Sequence, residues 1–301
     1  MKIVFFGSGP VAAKSLKLLA DTFEIEAVVT KPRAEHHKGS VPVLDACEQL
    51  EISRVLQVIN KCKLSELFTE KVFESQIGVV IDFGIIIDQD VIDSFKLGII
   101  NSHFSLLPEW RGADPITFSI LSGQSRTGVS LMLINGKMDE GDLIAQGDYE
   151  LSVATDTKLL THDLIDLSDC LLREFLPLYV SGKVHPVPQL EATIARTNQP
   201  TYSRKLTKAD GILDFKKPAT QLEREIRAFI EWPRSRLKLG GLDVIVTKAH
   251  VSEINGVAGN IFNEGSQLGL YCSEGILIFD SLIPAGKKEM DTSAFLAGYK
   301  V

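Results

Sequence analysis

The sequence has few cysteines and no long apolar run, and both absences narrow the class of protein. Its four cysteines, Cys47, Cys62, Cys170 and Cys272, are scattered along 301 residues without a Cys-x-x-Cys pair. This spacing favours reduced thiols in a cytoplasmic protein over a disulfide framework or a zinc site. No apolar run approaches the roughly 20 residues that a membrane-spanning helix needs, so we expect no membrane segment. We interpret the N-terminal "KIVFFG" as a buried strand, because it lacks the long apolar region and cleavage site of a signal peptide.

The histidines do not supply a metal site either. There are six, and the adjacent pair His36 and His37 is poorly spaced for two ligands on one face. We therefore predict a chain that binds no metal, and we expect it to act as a monomer.

The charge is unevenly distributed along the chain. The net charge of −7 argues at first against a nucleic-acid partner, yet residues 201–250 contain eleven Lys and Arg against six Asp and Glu. Such a basic segment indicates either ordinary solvated surface charge or an electrostatic footprint for an anionic partner. The composition alone leaves both interpretations open.

The first 182 residues have the pattern of an α/β domain. "KIVFFG", "SGPVAAKSLKLLADT" and "FEIEAVVT" predict a strand, a helix and a strand, and Pro10 suits a first helical turn. Such a unit is typical of a parallel sheet. "IGVVIDFGIII", residues 77–87, is too apolar for a half-exposed strand and predicts a buried parallel one. "GIINSH" predicts a further strand, and residues 158–182 predict a long amphipathic helix.

The pattern changes after residue 182. Residues 183–203 contain three prolines, Pro186, Pro188 and Pro200, and little periodicity, so we predict a linker. Residues 204–301 contain one helical pattern and several short β-like runs with Gly-bearing turns, which predict a small barrel or sandwich.

A glycine-rich turn near the N-terminus suggests dinucleotide binding, but the end of the next strand argues against it. "GSGPVA", residues 7–12, matches Gly-x-Gly-x-x-Ala between a strand and a helix. A nicotinamide dinucleotide site usually has an acidic residue at the end of the second strand, and here that strand ends in "AVVTKP". We therefore interpret the glycines as residues of a tight turn.

Asn101 and His103 form the strongest candidate site. They follow the apolar "LGII" directly, at the carboxyl end of a predicted strand, where open α/β sheets place their ligands. Alternation along a strand sends both side chains to one side. An amide donor beside an imidazole suits a developing oxyanion. A carboxylate to orient the imidazole would come from Asp139, Glu140 or Asp142, and the spacing does not choose among them.

Two stretches resemble a known family. "NSHFSLLPEWRGADPI" followed by "TGVSLMLINGKMDEGDLI" strongly resembles the formyltransferases that depend on 10-formyltetrahydrofolate. "WRGADPI", with "YSRKLTKADGILDF" and "QLEREIRAFIEWPRS", is most similar to the branch of that family that formylates methionyl initiator tRNA. The resemblance implies a Rossmann-like parallel-sheet formyltransferase domain over 1–182, the linker over 183–203, and an OB-like β-barrel that binds tRNA over 204–301.

The resemblance also implies roles for individual residues. The catalytic trio would be Asn101, His103 and Asp139, and the general base would be His103, Asp139 or a bound water. The folate site would be formed by Phe83, Gly84, Ile85, Ser105, Leu106, Leu107, Pro108 and Asp142. The tRNA would be bound by Arg33 and Lys38 in a short loop and by Lys205 and Lys208 in the basic segment.

Three other functions remain to be weighed against this one. A formyltransferase for an amino sugar on a nucleotide would use the same chemistry, but the basic segment favours tRNA. The end of the second strand disfavours a nicotinamide-dependent oxidoreductase. The presence of amide, imidazole and carboxylate together disfavours a non-catalytic RNA-binding module.

Overall fold

The secondary structure follows from a computed structural model that describes residues 1–33, 41–70, 73–192, 194 and 199–300. The strands are β1 Lys2–Phe6, β2 Glu24–Thr30, β3 Val55–Gln57, β4 Gly78–Val80, β5 Ile99–His103, β6 Arg111–Gly112, β7 Arg126–Leu133, β8 Leu143–Glu150, β9 Tyr202–Ser203, β10 Ser235–Leu239, β11 Leu242–Ser252, β12 Ile261–Glu264, β13 Gln267–Tyr271, β14 Ile276–Pro284 and β15 Met290–Asp291. The helices are α1 Pro10–Ala20, α2 Pro42–Gln49, α3 Lys61–Glu70, α4 Gln89–Asp93, α5 Pro115–Ser122, α6 Thr157–Val180, α7 Gln189–Ala192, α8 Ala219–Ala228 and α9 Thr292–Gly298, with a short 3₁₀ helix at Lys208–Gly211.

The chain forms two compact units. The first contains Met1–Pro115, Arg126–Tyr149 and Thr161–Ser203, and the second contains Ile116–Ser125, Glu150–Leu160 and Arg204–Val301. The division of the chain into a domain over 1–182, a linker over 183–203 and a domain over 204–301 stays a prediction. No helix among the described residues is long and apolar enough to cross a membrane.

The first unit is built on a seven-stranded sheet, which confirms the predicted parallel α/β fold. The strand order is β3-β2-β1-β4-β5-β7-β8. The pairs β1–β2, β2–β3, β1–β4 and β4–β5 are parallel, whereas β7 runs antiparallel to β5. Four of the five residues of β1 are buried, as the parallel-sheet interpretation of "KIVFF" requires. Pro10 begins α1, where its missing N–H costs nothing.

One predicted strand is shorter than its sequence suggests. The apolar run 77–87 predicts one long strand, but β4 ends at Val80. Asp82 and Gly84 have φ values of 48° and 64°, in the left-handed region, so the chain turns there. Phe83 lies between them and is buried in the core under the sheet, which explains why the run is apolar without being a strand.

The second unit is a separate antiparallel β structure, as predicted for this part of the chain. Its sheet has the order β10-β11-β14-β13-β12, and β15 pairs with β14. Helices α8 and α9 cover the core of this sheet, to which they contribute Leu222, Ile226 and Phe295. Phe279 of β14 and Leu268 of β13 are fully buried against them.

Candidate active site

Asn101 and His103 lie at the end of β5, as the sequence predicts. The Cα atom of Asn101 pairs with Val80 of β4, and that of His103 pairs with Ser130 of β7. Ser102, between them, turns the other way and shares a 2.7 Å hydrogen bond between its Oγ and the Oγ of Ser168. The alternation of the strand therefore presents the amide and the imidazole on the same side.

Asp139 completes the group from the loop between β7 and β8. Its Oδ1 lies 3.5 Å from Asn101 Nδ2 and 3.9 Å from His103 Nδ1. Its Oδ2 accepts a 2.7 Å hydrogen bond from the Gly112 N–H. The φ of Asp139 is 52°, in the left-handed region that Asp and Asn tolerate better than most residues. The side chains of His103 and Asp139 are only 7% and 14% exposed, so water screens their interaction weakly.

The hydrogen bonds of His103 fix its neutral tautomer. Its Nε2 lies 2.9 Å from the carbonyl oxygen of Trp110. Because a carbonyl oxygen only accepts, Nε2 carries the hydrogen and donates it. The other ring nitrogen, Nδ1, faces Asp139, so Nδ1 is the atom that can take up or release a proton.

The geometry separates Asp139 from the other two acidic candidates. Glu140 Oε1 lies 3.2 Å from Arg111 Nη1, and Glu140 Oε2 lies 3.6 Å from Lys137 Nζ. Asp142 is exposed, and its backbone carbonyl accepts a hydrogen bond from the Leu133 N–H. Of the three carboxylates, only that of Asp139 is recorded in contact with both Asn101 and His103 among the described residues.

The Ser-Leu-Leu-Pro turn, residues 105–108, begins two residues after β5 ends, and side chains of β7 and β8 hydrogen-bond to its backbone. Ser105, Leu106 and Leu107 are buried. The Ser130 hydroxyl donates to the Ser105 carbonyl at 2.6 Å and accepts from the Leu107 N–H at 2.9 Å. The Gln146 amide donates to the Leu107 carbonyl at 2.9 Å. These bonds fix the backbone of the turn beside His103. Folate binding by the turn stays a prediction for all four of its residues, Ser105, Leu106, Leu107 and Pro108.

The predicted pterin-binding turn lies at the end of β4, next to β5. Phe83 is buried, whereas Gly84 is exposed and its carbonyl accepts a 3.2 Å hydrogen bond from Lys31 Nζ. Ile85 is half-buried against the core of the sheet. The next residue, Ile86, is 68% exposed, which places a bare apolar side chain at the carboxyl edge of the sheet.

The structure adds a physical reason against a dinucleotide at the glycine-rich turn. A Cβ on Gly9 would lie 1.8 Å from Asp82 Oδ2, so the carboxylate fills the space at the start of α1 where a phosphate would bind. Burial raises the pKa of Asp82 to about 6, against the lowering effects of the nearby Lys31 charge and of the Ala12 N–H. Although Asp82 is exposed as a residue, its carboxylate end lies against Gly9, which accounts for this burial.

The candidate tRNA-binding residues are only partly described. Arg33 Nη2 lies 3.5 Å from Asp45 Oδ1, and Lys38 lies outside the described residues. Lys205 and Lys208 are exposed in the second unit. Beside them, the Arg204 guanidinium bonds Asp210 and holds the pKa of that carboxyl well below its usual range. In the described part of the chain, no three His, Cys, Asp or Glu side chains are grouped as metal ligands.

Sequence reasoning missed one buried residue of the site. Gln189 of α7 lies in the predicted linker, yet its side-chain amide donates to the carbonyls of Asp139 and Gly141 at 2.9 Å each. A lone glutamine without periodic neighbours gives no signal that could have identified it.

The fold and the trio together define a class of enzyme. An open α/β sheet presents an amide, an imidazole and a carboxylate at the end of a central strand, an arrangement that suits a reaction in which an oxyanion forms, such as group transfer. Residues 1–168 match the family model described as formyl transferase, and residues 205–300 match the formyl transferase C-terminal domain. The chain belongs to the formyl transferase family.

Individual relatives are similar over the whole chain. The methionyl-tRNA formyltransferase of Myxococcus xanthus is 34% identical over 100% of this chain and 96% of its own length. That of Neisseria gonorrhoeae is 32% identical over 100% of this chain and 98% of its own. Among solved structures, a sugar 3N-formyl transferase with dTDP and 5-N-formyl-THF has a TM-score of 0.68 at 17% identity, with 96% of this chain and 99% of that chain covered. This last likeness concerns the fold alone.

Proposed function

We propose that this protein transfers the formyl group of 10-formyltetrahydrofolate to the free α-amine of methionyl initiator tRNA, for use in translation initiation. The observation that carries the proposal is the Asn101, His103 and Asp139 group at the end of β5. Full-length similarity to relatives named methionyl-tRNA formyltransferase supports the choice of acceptor.

The reaction needs an oxyanion site and a proton acceptor. The neutral α-amine attacks the formyl carbon, and the carbonyl oxygen becomes an oxyanion. Asn101 Nδ2 would donate a hydrogen bond to that oxygen, and His103 Nδ1 would donate a second one after it has taken the proton that the amine loses. Removing one such donor in other enzymes costs on the order of 100- to 1000-fold in kcat.

The tautomer of His103 gives each ring nitrogen a separate task. Trp110 holds Nε2 as a donor, which leaves the Nδ1 lone pair to take the proton that the amine loses. Asp139, 3.9 Å away, stabilises the imidazolium that results. The proton then passes to the departing N10 nitrogen of the folate as its bond to the formyl carbon breaks, so the site is restored.

The residues at the carboxyl edge of the sheet fit a reduced folate. The turn at Phe83, Gly84 and Ile85 offers backbone groups for the polar edge of a pterin. Exposed Ile86 offers an apolar surface for its ring, and Met138, 67% exposed beside Asp139, offers another. Asp142 is exposed and would bind from the same loop as Asp139.

Binding of tRNA is assigned to two basic surfaces. The exposed Lys205 and Lys208 lie in the segment with a net excess of positive charge, where phosphate contacts need Lys and Arg. Arg33, with Lys38 beyond the described residues, would position the 3′ end. We further propose that the protein acts as a monomer in the cytoplasm.

The test compares acceptors and ligands directly. The purified protein is incubated with 10-formyltetrahydrofolate and either charged initiator tRNA or a panel of nucleotide-linked amino sugars. Formylation of the tRNA alone supports the proposal, and formylation of a sugar alone refutes it. Calorimetric titration should detect a reduced folate and no NADH, and micromolar NADH binding without folate binding would overturn the assignment.

A further inference from the structure

Gln189 uses its whole side-chain amide to hold the loop that carries Asp139. Both hydrogens of Nε2 are donated, one to the Asp139 carbonyl and one to the Gly141 carbonyl, at 2.9 Å each. Its Oε1 accepts from Arg111 Nη2 at 2.8 Å. Gln189 is only 4% exposed, so any of these groups left without a partner would lie in a place that water reaches poorly.

Arg111 links the same loop to the strand beside the site. Its Nη1 lies 3.2 Å from Glu140 Oε1, and the residue is 8% exposed. The residues on either side of it contact the catalytic pair through their backbones, because the Trp110 carbonyl meets His103 and the Gly112 N–H meets Asp139. The side chains of Gln189 and Arg111 therefore connect the 139–141 loop to residues 110–112, the segment that also hydrogen-bonds to His103.

The backbone around Gln189 runs along the next part of that loop. Leu143 and Val187 form an antiparallel bridge, with N–H to carbonyl distances of 2.8 and 2.9 Å. This bridge fixes the position of α7 relative to the chain that follows the 139–141 loop. Gln189 therefore cannot move along that chain unless both hydrogen bonds break.

We infer that Gln189 is a positioning residue for the reaction, which sets the place of the Asp139 carboxylate relative to His103 Nδ1. This inference rests on the proposed function. Asp139 is in the left-handed region, with a φ of 52°, and a carbonyl held by a hydrogen bond restrains the rotation that would turn its side chain away. A displacement of about 1 Å in a catalytic group can cost on the order of 100-fold in rate.

The variant Gln189→Glu separates positioning from packing. It keeps the shape of the side chain and can still accept from Arg111. It replaces two donors by an acceptor that faces the carbonyls of Asp139 and Gly141, so the loop is repelled. We expect kcat for formyl transfer to fall at least about 10-fold, while KM for the folate and for tRNA changes less than about threefold.

A double-mutant cycle with Asp139→Asn distinguishes a positioning role from a merely structural one. It compares the loss of kcat that Gln189→Glu causes with and without the Asp139 carboxylate. If Gln189 acts through the Asp139 carboxylate, then Gln189→Glu should cost no more than about twofold in kcat once that carboxylate is gone. A general loss of folding would reduce kcat by the same factor in both backgrounds. Thermal unfolding of all four proteins is measured alongside.

Gln221→Glu is the matched control. Gln221 also donates from Nε2 to a backbone carbonyl, that of Leu121, at 3.4 Å, but in the second unit. It should leave kcat within twofold of the unmodified protein.

Three outcomes are separable. If the unmodified protein formylates no tRNA, the proposed function fails before the cycle begins. If it is active and Gln189→Glu keeps at least half of its kcat, the positioning role is refuted. Equal losses in the presence and absence of the Asp139 carboxylate also refute it, whereas a loss confined to the unmodified background supports it.

Discussion

Replacing Asp139 by Asn removes one negative charge while keeping the shape of the side chain and the backbone that it needs. Asn tolerates the left-handed φ of 52° that Asp139 adopts. Its Oδ1 can still accept from the Gly112 N–H, which in the unmodified protein donates a 2.7 Å hydrogen bond to Asp139 Oδ2. The new amide group then faces Asn101 Nδ2 and His103 Nδ1, and it opposes protonation of the imidazole.

The size of the effect follows from the separation of the charges. Asp139 Oδ1 and His103 Nδ1 lie 3.9 Å apart. At an effective dielectric constant of about 20, an attraction over this distance is about 4 kcal/mol. The proposed route passes through an imidazolium, so losing this attraction slows transfer by up to about 1000-fold. Some screening at a partly open site lowers the expected loss to about 100- to 1000-fold in kcat.

The assay is steady-state transfer of labelled formyl groups to charged initiator tRNA, with both substrates at saturating concentration. Asp148→Asn is the control, because Asp148 also bonds a cation, Arg126, at 2.9 Å, but its side chain is 51% exposed. Surface pairs of this kind contribute about 0–1 kcal/mol, so this variant should behave like the unmodified protein. A folded Asp139→Asn that keeps more than a tenth of its kcat would refute the reasoning and return Glu140 or Asp142 as candidates.

Three further predictions follow from other parts of the structure. Gly112→Ala should lower kcat at least about 10-fold in the same assay, because φ is 107° there and a Cβ would lie 2.6 Å from a backbone oxygen; unchanged turnover would contradict this. Changing Lys205 and Lys208 together to Ala should flatten the dependence of log tRNA affinity on log salt by roughly two units, as measured by filter binding, and more than Arg33→Ala does; the reverse order would move tRNA binding to the first unit. Burial raises the pKa of Asp82 to about 6, so the folded state binds its proton more tightly than the unfolded state, and stability is lost as pH rises from about 4 to about 6. Asp82→Asn should therefore raise the melting temperature at pH 7 and not at pH 4, and an equal change at both pH values would exclude this explanation.

The sequence predicts those elements whose residues carry a local signal. Strands β1 and β4 lie in continuous apolar runs, and β5 ends at His103 as its pattern indicates. The short strands of the second unit are separated by turns that contain Gly, so most of them could be anticipated, whereas the two-residue β15 could not. The trio was identified by resemblance, because spacing alone left three carboxylates open.

The features that the sequence does not predict depend on distant partners. The early end of β4 depends on left-handed φ values at Asp82 and Gly84, whereas buried Phe83 keeps the local pattern apolar. The contact of Gln189 with the Asp139 loop joins residues 50 positions apart. A hydrogen bond to a backbone carbonyl needs no particular residue type at the acceptor, so it leaves no mark in the sequence.

The pairing of β6 with β9 bears on the order in which the protein can mature during synthesis. β6 is only Arg111–Gly112, and its partner Tyr202–Ser203 is made some 90 residues later. A nascent chain released at residue 182 would already hold all seven strands of the first sheet, yet it would lack both β9 and Gln189. The sheet can thus assemble before Gln189 is available to bind the 139–141 loop. We therefore expect the shortest active fragment to end after Ser203, and not at the point where the sheet is complete.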